Sequence, residues 1–266
     1  MPLALWDCTE LARRLVTDGV VGAISPETVR RVLASHQLKP WRVHHWLSAK
    51  VPRDAAFATA VSELCALYTD PLPAHELVFC VDEKTSLQPR HRTAPTRPAR
   101  RGQPVRLEHE YVRDGALHLF AAFDTRSGRV IGWNATRKRA VEFISFLDLL
   151  EASVPPTTTR VHVVLDNLSV HKSAAVQAWL AGHPRVRFHF PPVHCSWMNQ
   201  VEEWLSILER KALRAVNFPG TLALDRHLHG YLAHWNEHAH PFNWTSHSVA
   251  KVLAKCDPAL APSAAA

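Results

Sequence analysis

Leu77-Val78-Phe79-Cys80-Val81-Asp82-Glu83 and, further along, Val161-His162-Val163-Val164-Leu165-Asp166-Asn167 decide how this chain folds. Each is a short apolar run rich in β-branched residues, the mark of a strand buried on both faces. Each stops at an aspartate. An apolar strand that ends in Asp delivers its carboxylate at the sheet edge, where α/β sheets place their sites.

Working outward from these two runs, residues 117–123 and 129–133 flank Asp124-Thr125-Arg126-Ser127-Gly128 and read as a hairpin. A helix is expected over 140–151, a second over 173–180, a short strand over 186–190 and a long helix over about 198–216. The order β-β-β-α-β-α-β-α, antiparallel first and parallel later, describes an α/β mixed sheet with helices on both faces. Its span is 75–240, and 241–266 reads as a C-terminal tail whose small residues from 258 on suit disorder.

Ahead of the sheet the chain is helical. Ser25-Pro26-Glu27 is a helix start, with a hydroxyl at the N-cap, proline at N1 and an acid in the first turn. The helix that follows puts Val29, Val32 and Leu33 on one face and turns Arg30 and Arg31 outward; Lys39, Arg42, Lys50 and Arg53 continue the positive surface. Residues 1–53 thus fit a helix-turn-helix that presents arginines to a major groove, and equally a helical hairpin with a solvated basic face. A linking helix over 55–68, ended by Pro71 and Pro73, occupies 54–74.

The chain has 266 residues, 47% of them apolar, which excludes a disordered tail. No apolar run reaches the length of a membrane span. Five scattered cysteines (Cys8, Cys65, Cys80, Cys195, Cys256), never spaced CxxC, point to a reducing cytosol without a disulfide framework. A formal charge of +7, with eighteen histidines besides, suits a polyanionic partner.

Glu202 lies in the first turns of the helix after Met198, and with Asp82 and Asp166 it makes three acids from two strands and a helix. Such a set holds a pair of hard divalent cations, Mg²⁺ or Mn²⁺. Two ions roughly 3.5–4 Å apart stabilise both oxygens of an in-line displacement at phosphorus. Singly, each acid fits a helix cap or a dipole-complementing residue just as well, and the spacing admits other carboxylate enzymes.

The local sequences are more specific. Val81-Asp82-Glu83-Lys84-Thr85-Ser86, Leu165-Asp166-Asn167-Leu168-Ser169-Val170-His171-Lys172 and Ser196-Trp197-Met198-Asn199-Gln200-Val201-Glu202 resemble the three catalytic blocks of DDE transposases from the bacterial insertion sequences related to Tc/mariner elements. The resemblance covers roughly 75–215. It implies a ribonuclease H-like fold, Mg²⁺ or Mn²⁺ dependence, cut-and-paste movement of an insertion sequence at TA target sites, a homodimer pairing two terminal repeats, and a bacterial cytoplasmic, nucleoid-associated setting. It places the family's acids on Asp82, Asp166 and Glu202. The family's glutamate follows Asn-x-x, so Asn199-Gln200-Val201 selects Glu202 over Glu203, which lies about 100° further round the helix. Glu83 is then a neighbour on the opposite side of the strand end, with a supporting or structural role. Complete members carry a further helix-turn-helix, so 1–53 reads as a truncated DNA-binding region. A ribonuclease H-like nuclease and an inactive transposase-derived DNA-binding protein remain compatible with the same residues.

Between Lys84 and Arg106 the chain carries Lys84, Arg90, Arg92, Arg97, Arg100, Arg101 and Arg106 with no acid, studded with prolines. Such a loop can track a DNA backbone. Asn167, His171 and Lys172 follow the second aspartate closely enough to reach substrate phosphates. His234, His238 and His240 have spacing suited to zinc, but no cysteine lies nearby and a histidine-rich chain produces such pairs by chance. Trp179, Trp197 and Trp204 read as core.

Overall fold

The computed structural model describes residues 6–38, 54–193, 195–214, 216–245 and 250. Lys39, Arg42, Lys50, Arg53, Cys256 and the segment 258–266 lie outside the described residues. The chain divides into two compact units, 1–50 and 51–266.

The first unit holds α1 (Cys8–Thr17) and α2 (Pro26–Ser35). Asp7 caps α1 through Glu10 N, and Ser25 caps α2 through Thr28 N at 3.1 Å. Val29 and Ala12 are buried, whereas Val32 is half exposed, so the apolar face of α2 is narrower than the spacing suggested. Arg30 and Arg31 do face outward.

The second unit is built on a five-stranded sheet in the order β5-β4-β1-β6-β7. Its strands are β1 (Glu76–Leu87), β4 (Leu117–Asp124), β5 (Val130–Ala135), β6 (Arg160–Leu165) and β7 (Val186–His189). β1 pairs antiparallel with β4 and β4 with β5, while β6 and β7 run parallel to β1. β2 (Arg90–Arg92) and β3 (Tyr111–Arg113) form a separate two-stranded ribbon at the base of the basic loop.

Period-two alternation sorts side chains to two cores. On one face Val78, Cys80, Val164, Leu119 and Phe123 join α3 (Ala55–Thr69), α6 (Val201–Leu208) and α7 (Thr221–Glu237). On the other, Phe79, Val81, Val163 and Leu165 join α4 (Ala140–Ser153) and α5 (Ala174–Gly182). Helices therefore cover both faces, as expected. α3 is more than a linker, because Phe57, Val61, Leu64 and Cys65 belong to the same apolar cluster as Trp204.

The unit also reaches past 240. Phe242 stacks on Phe123 with centroids 4.7 Å apart, and Trp244 lies against Tyr68. α7, which sequence patterning left unread, buries Leu224, Leu228 and Leu232. Asn236 brackets Val130 with two 2.8 Å hydrogen bonds, and Trp235 donates to the Gly128 carbonyl. Among the described residues no helix is long and apolar enough to cross a membrane.

Candidate active site

β1 does not stop at Asp82. It continues to Leu87, because Asp82, Glu83 and Lys84 pair with Ala121, Phe120 and Leu119 of β4. Asp82 therefore sits within the strand, where its direction is fixed by the pleat. Val78 and Cys80 face the α6 side, so Asp82 does too; Phe79 and Val81 face the α4 side, and so does Glu83. On β6, Val164 shares the face of Cys80, its register partner, and Asp166 follows Leu165, the partner of Val81. The parallel register thus lays Asp82 and Asp166 side by side, one step beyond the last pair.

The third acid arrives on α6, whose start is anchored to β1 at several points. Asn199, buried, donates from Nδ2 to the Val81 carbonyl at 2.8 Å. The Tyr68 hydroxyl donates to the Met198 carbonyl at 3.0 Å and lies 3.3 Å from Cys80 Sγ. The backbone N–H groups of Gln200 and Val201 point at that sulfur, and burial pushes the Cys80 thiol up to about 11 despite them. Val201, Trp204, Leu205 and Leu208 fill the core, which turns Glu202 and Glu203 out of it. Glu202 lines a cavity of about 540 Å³ together with Asp82, Glu83, Lys84 and Glu209. Glu203 shares a neighbouring cavity with Glu202 and sits 3.8 Å from Arg210, while Asp166 opens on a separate groove beside Asn167 and Pro191.

Burial raises the Asp82 carboxyl to about 7, the charges of Glu83, Asp166 and Glu202 push it the same way, and the Glu83 N–H opposes them at 2.7 Å. Like-charged neighbours make ionisation of a buried acid costly. A divalent cation would remove that cost. The donor set is all oxygen, the chemistry of hard divalent ions.

His171 is fully buried and does not offer its ring to a phosphate, contrary to the sequence expectation. Its Nδ1 lies 3.0 Å from Asp166 Oδ1 and its Nε2 3.0 Å from Glu83 Oε1. Burial alone would lower its pKa, but the bonds to Asp166 and Glu83 prevail and raise it to about 9. The same contact, with the Leu168 N–H, lowers the Asp166 carboxyl. The sequence puts Glu83 on the opposite side of the strand end from Asp82 but does not give its partner, because Glu83 and His171 are far apart in the chain.

The remaining sites divide by what they already touch. Asn167 donates to the Pro191 carbonyl and accepts from Lys172, both at the exposed rim beside Asp166. Lys84 pairs with Glu209 at 3.0 Å. Arg90 lies over the Tyr111 ring, and Arg92 donates to the Glu108 and Val216 carbonyls, so both brace the base of the basic loop. Arg97, Arg100, Arg101 and Arg106 are exposed, held in narrow bridges (Arg97 with Arg106, Arg100 with Gln103), without an acidic partner among the described residues.

Arg30 pairs with Glu27. Trp204 is core, but Trp179 is half-buried with its N–H on Asp148, and Trp197 is exposed. His234, Glu237 and His238 gather on the surface at the end of α7, with a ligand atom from each within 4.8 Å of the others. His240 is outside that group.

Residues 77–224, more than half of the chain, match the family model of the DDE superfamily endonucleases. The chain is 29% identical over 157 residues to an uncharacterised 39 kDa protein of insertion element IS630 from Shigella sonnei. That match covers 57% of this chain and 43% of the relative, so the chain spans less than half of that protein's length. Among solved structures, the Mos1 mariner paired-end complex with Mn matches with a TM-score of 0.56 at 15% identity, over 96% of this chain and 72% of that one. The Mos1 catalytic domain matches with a TM-score of 0.51 at 14% identity, over 83% and 98%. The fold is therefore the ribonuclease H-like one of the mariner catalytic domain, and the chain belongs to the DDE superfamily endonucleases.

Proposed function

We propose that this chain is the catalytic portion of a DNA transposase, cutting and rejoining phosphodiester bonds with divalent cations held by Asp82, Asp166 and Glu202. One observation carries the reading: Asp82 is pushed up to about 7 by burial and by three acids brought together from two strands and a helix. A multiply charged cation would offset both the burial and the repulsion of these acids. Bound there, Mg²⁺ or Mn²⁺ would supply Lewis-acid stabilisation to the attacking and leaving oxygens of an in-line displacement.

The protein's own part is to hold and aim. In this reading the β1–β6 register would bring two carboxylates together and the Asn199 bond to β1 would hold the start of the helix that carries the third. DNA would approach over the positive surface of Lys84, Arg90, Arg92, Arg97, Arg100 and Arg101, with Asn167 and Lys172 at the rim of the site and Arg30 and Arg31 in the helical unit. Electrostatic attraction to phosphates supplies most of such affinity. The solved Mos1 structures include paired-end and strand-transfer complexes, which support element ends as substrates; TA-containing target DNA and a homodimeric working form are carried by the family resemblance alone.

The test is cleavage of a duplex carrying the element's own end in Mn²⁺ or Mg²⁺. Asp82→Asn and Glu202→Gln should each abolish cleavage while leaving DNA binding nearly unchanged, and Glu203→Gln should retain it. Pre-cut ends should give strand transfer, whereas a nuclease would only hydrolyse. Full cleavage by either triad variant would overturn the assignment.

A further inference from the structure

We infer that His171 and Glu83 are positioning residues for Asp166, fixing its carboxylate so that one oxygen alone is left for a cation. The inference rests on the divalent-cation reading of the three acids and adds to it a means of orientation. Asp166 follows the last residue of β6, and its side chain is 37% exposed, so the strand places its backbone but packing restrains its carboxylate less than that of a core residue. Two nitrogens converge on a single oxygen: the Leu168 N–H at 3.0 Å and His171 Nδ1 at 3.0 Å both address Oδ1, and the same Nδ1 also lies 3.2 Å from the Asp166 backbone carbonyl. Among the described residues no donor addresses Oδ2.

The imidazole that does this is itself held. Its ring is buried against Phe143, with centroids 4.4 Å apart, and its Nε2 is 3.0 Å from Glu83 Oε1. The Glu83 side chain is 5% exposed. Glu83 is fixed in turn by β1, whose pleat sends it to the face opposite Asp82. One strand thus places an acid in the site and, at the next residue, the acid that aims its neighbour. A carboxylate–histidine pair beyond the ligands commonly orients them, and its loss costs about tenfold to a hundredfold in metal affinity.

Two substitutions separate aiming from bracing. The amide nitrogen of Asn falls near the place of Nδ1, and that of Gln near Nε2. His171→Asn therefore keeps the donor to Asp166 and loses Glu83; His171→Gln keeps Glu83 and releases Asp166. Mn²⁺ binding is measured by calorimetry on the full chain without DNA, with thermal unfolding alongside. We expect His171→Gln to weaken Mn²⁺ by about tenfold or more and His171→Asn by no more than about threefold, at similar melting temperatures.

Equal losses in both that follow stability, or no loss in either, would overturn the inference. Asp82→Asn is the control: if it leaves Mn²⁺ affinity unchanged, the cation reading itself fails, whereas a normal control with an unaffected His171→Gln sinks only the positioning role. Should His171→Gln not fold, the wild-type chain decides by nitrogen NMR of the ring. Its ring-nitrogen signals should shift on Mg²⁺ addition, and unshifted signals would count against the inference.

Discussion

Replacing Asp82 by Asn should make the cation-free protein more stable, and the size of the gain follows from the site. The carboxyl is ordinarily near 3.8 and is raised to about 7 in the fold, by burial first and then by Glu83, Asp166 and Glu202. A group whose folded value is raised contributes its full relative stability below the unfolded value and loses it as pH rises through the folded one. Below pH 3.8 the substitution should therefore be neutral. Above pH 7 the wild type carries a charge the fold resists, and at about 1.36 kcal/mol per tenfold this amounts to about 4 kcal/mol. Asn keeps the oxygen that accepts the Glu83 N–H, so little else changes. Urea unfolding in chelator, followed by tryptophan fluorescence, should show Asp82→Asn ahead at about pH 8, with the gap closing toward about pH 4. Mn²⁺ at about a hundred times its Kd should return about 2.7 kcal/mol to the wild type alone. If Asp82→Asn is no more stable than wild type at pH 8 in chelator, the account of this site by burial and like-charge repulsion is wrong.

Other expectations follow from single contacts. Asn199→Ala leaves the buried Val81 carbonyl without its donor; it should cost about 1–3 kcal/mol in urea unfolding and lower cleavage more than DNA binding, since it frees the start of α6. Exchanging Arg97, Arg100 and Arg101 together for Glu should weaken DNA binding at low salt and flatten the salt dependence by roughly 0.9 per lost phosphate contact, read by fluorescence anisotropy across a salt series. Gly128→Ala should destabilise the catalytic unit by more than about 1 kcal/mol, because φ is +73° there and a Cβ would meet the His240 backbone; thermal unfolding measures it.

How much of this was legible in the sequence depended on the range of the interaction. The apolar runs 77–81 and 161–165, the hairpin at 124–128 and the capped helix at Ser25 carry their signals within a few residues, and each is where its pattern put it. The long helix after Met198 is present as a continuous helical run from Val201 to Leu213, but not as one regular α-helix. α6 ends at Leu208 and a π turn, Glu209–Leu213, follows, with nothing in composition to mark it. α7 had a readable stripe in Leu224, Leu228 and Leu232, but its histidines drew attention to ligands rather than to packing. The harder cases are non-local. Asp82 to Leu87 looks like a polar loop, and only hydrogen bonding to Leu117–Ala121 of β4 makes it a strand. Trp197 reads as core by type, yet the short helical turn at 196–198 leaves it in solvent.

His171 shows the same limit from the other side. By position it looked like a phosphate contact, and by environment it is the most enclosed histidine in the site, because its partner comes from β1. Continuing β1 through Asp82 accounts for both surprises at once. With the strand ended at Val81, Asp82 and Glu83 would be two loop acids of similar outlook. With the pleat extended, they must face opposite sides: one toward Glu202 among repelling acids, the other toward a buried imidazole that shares its charge. The division of labour between adjacent acids follows from the two-residue period of a strand, and the element that enforces it is β4, whose pairing carries that period past Val81, the end of the apolar run.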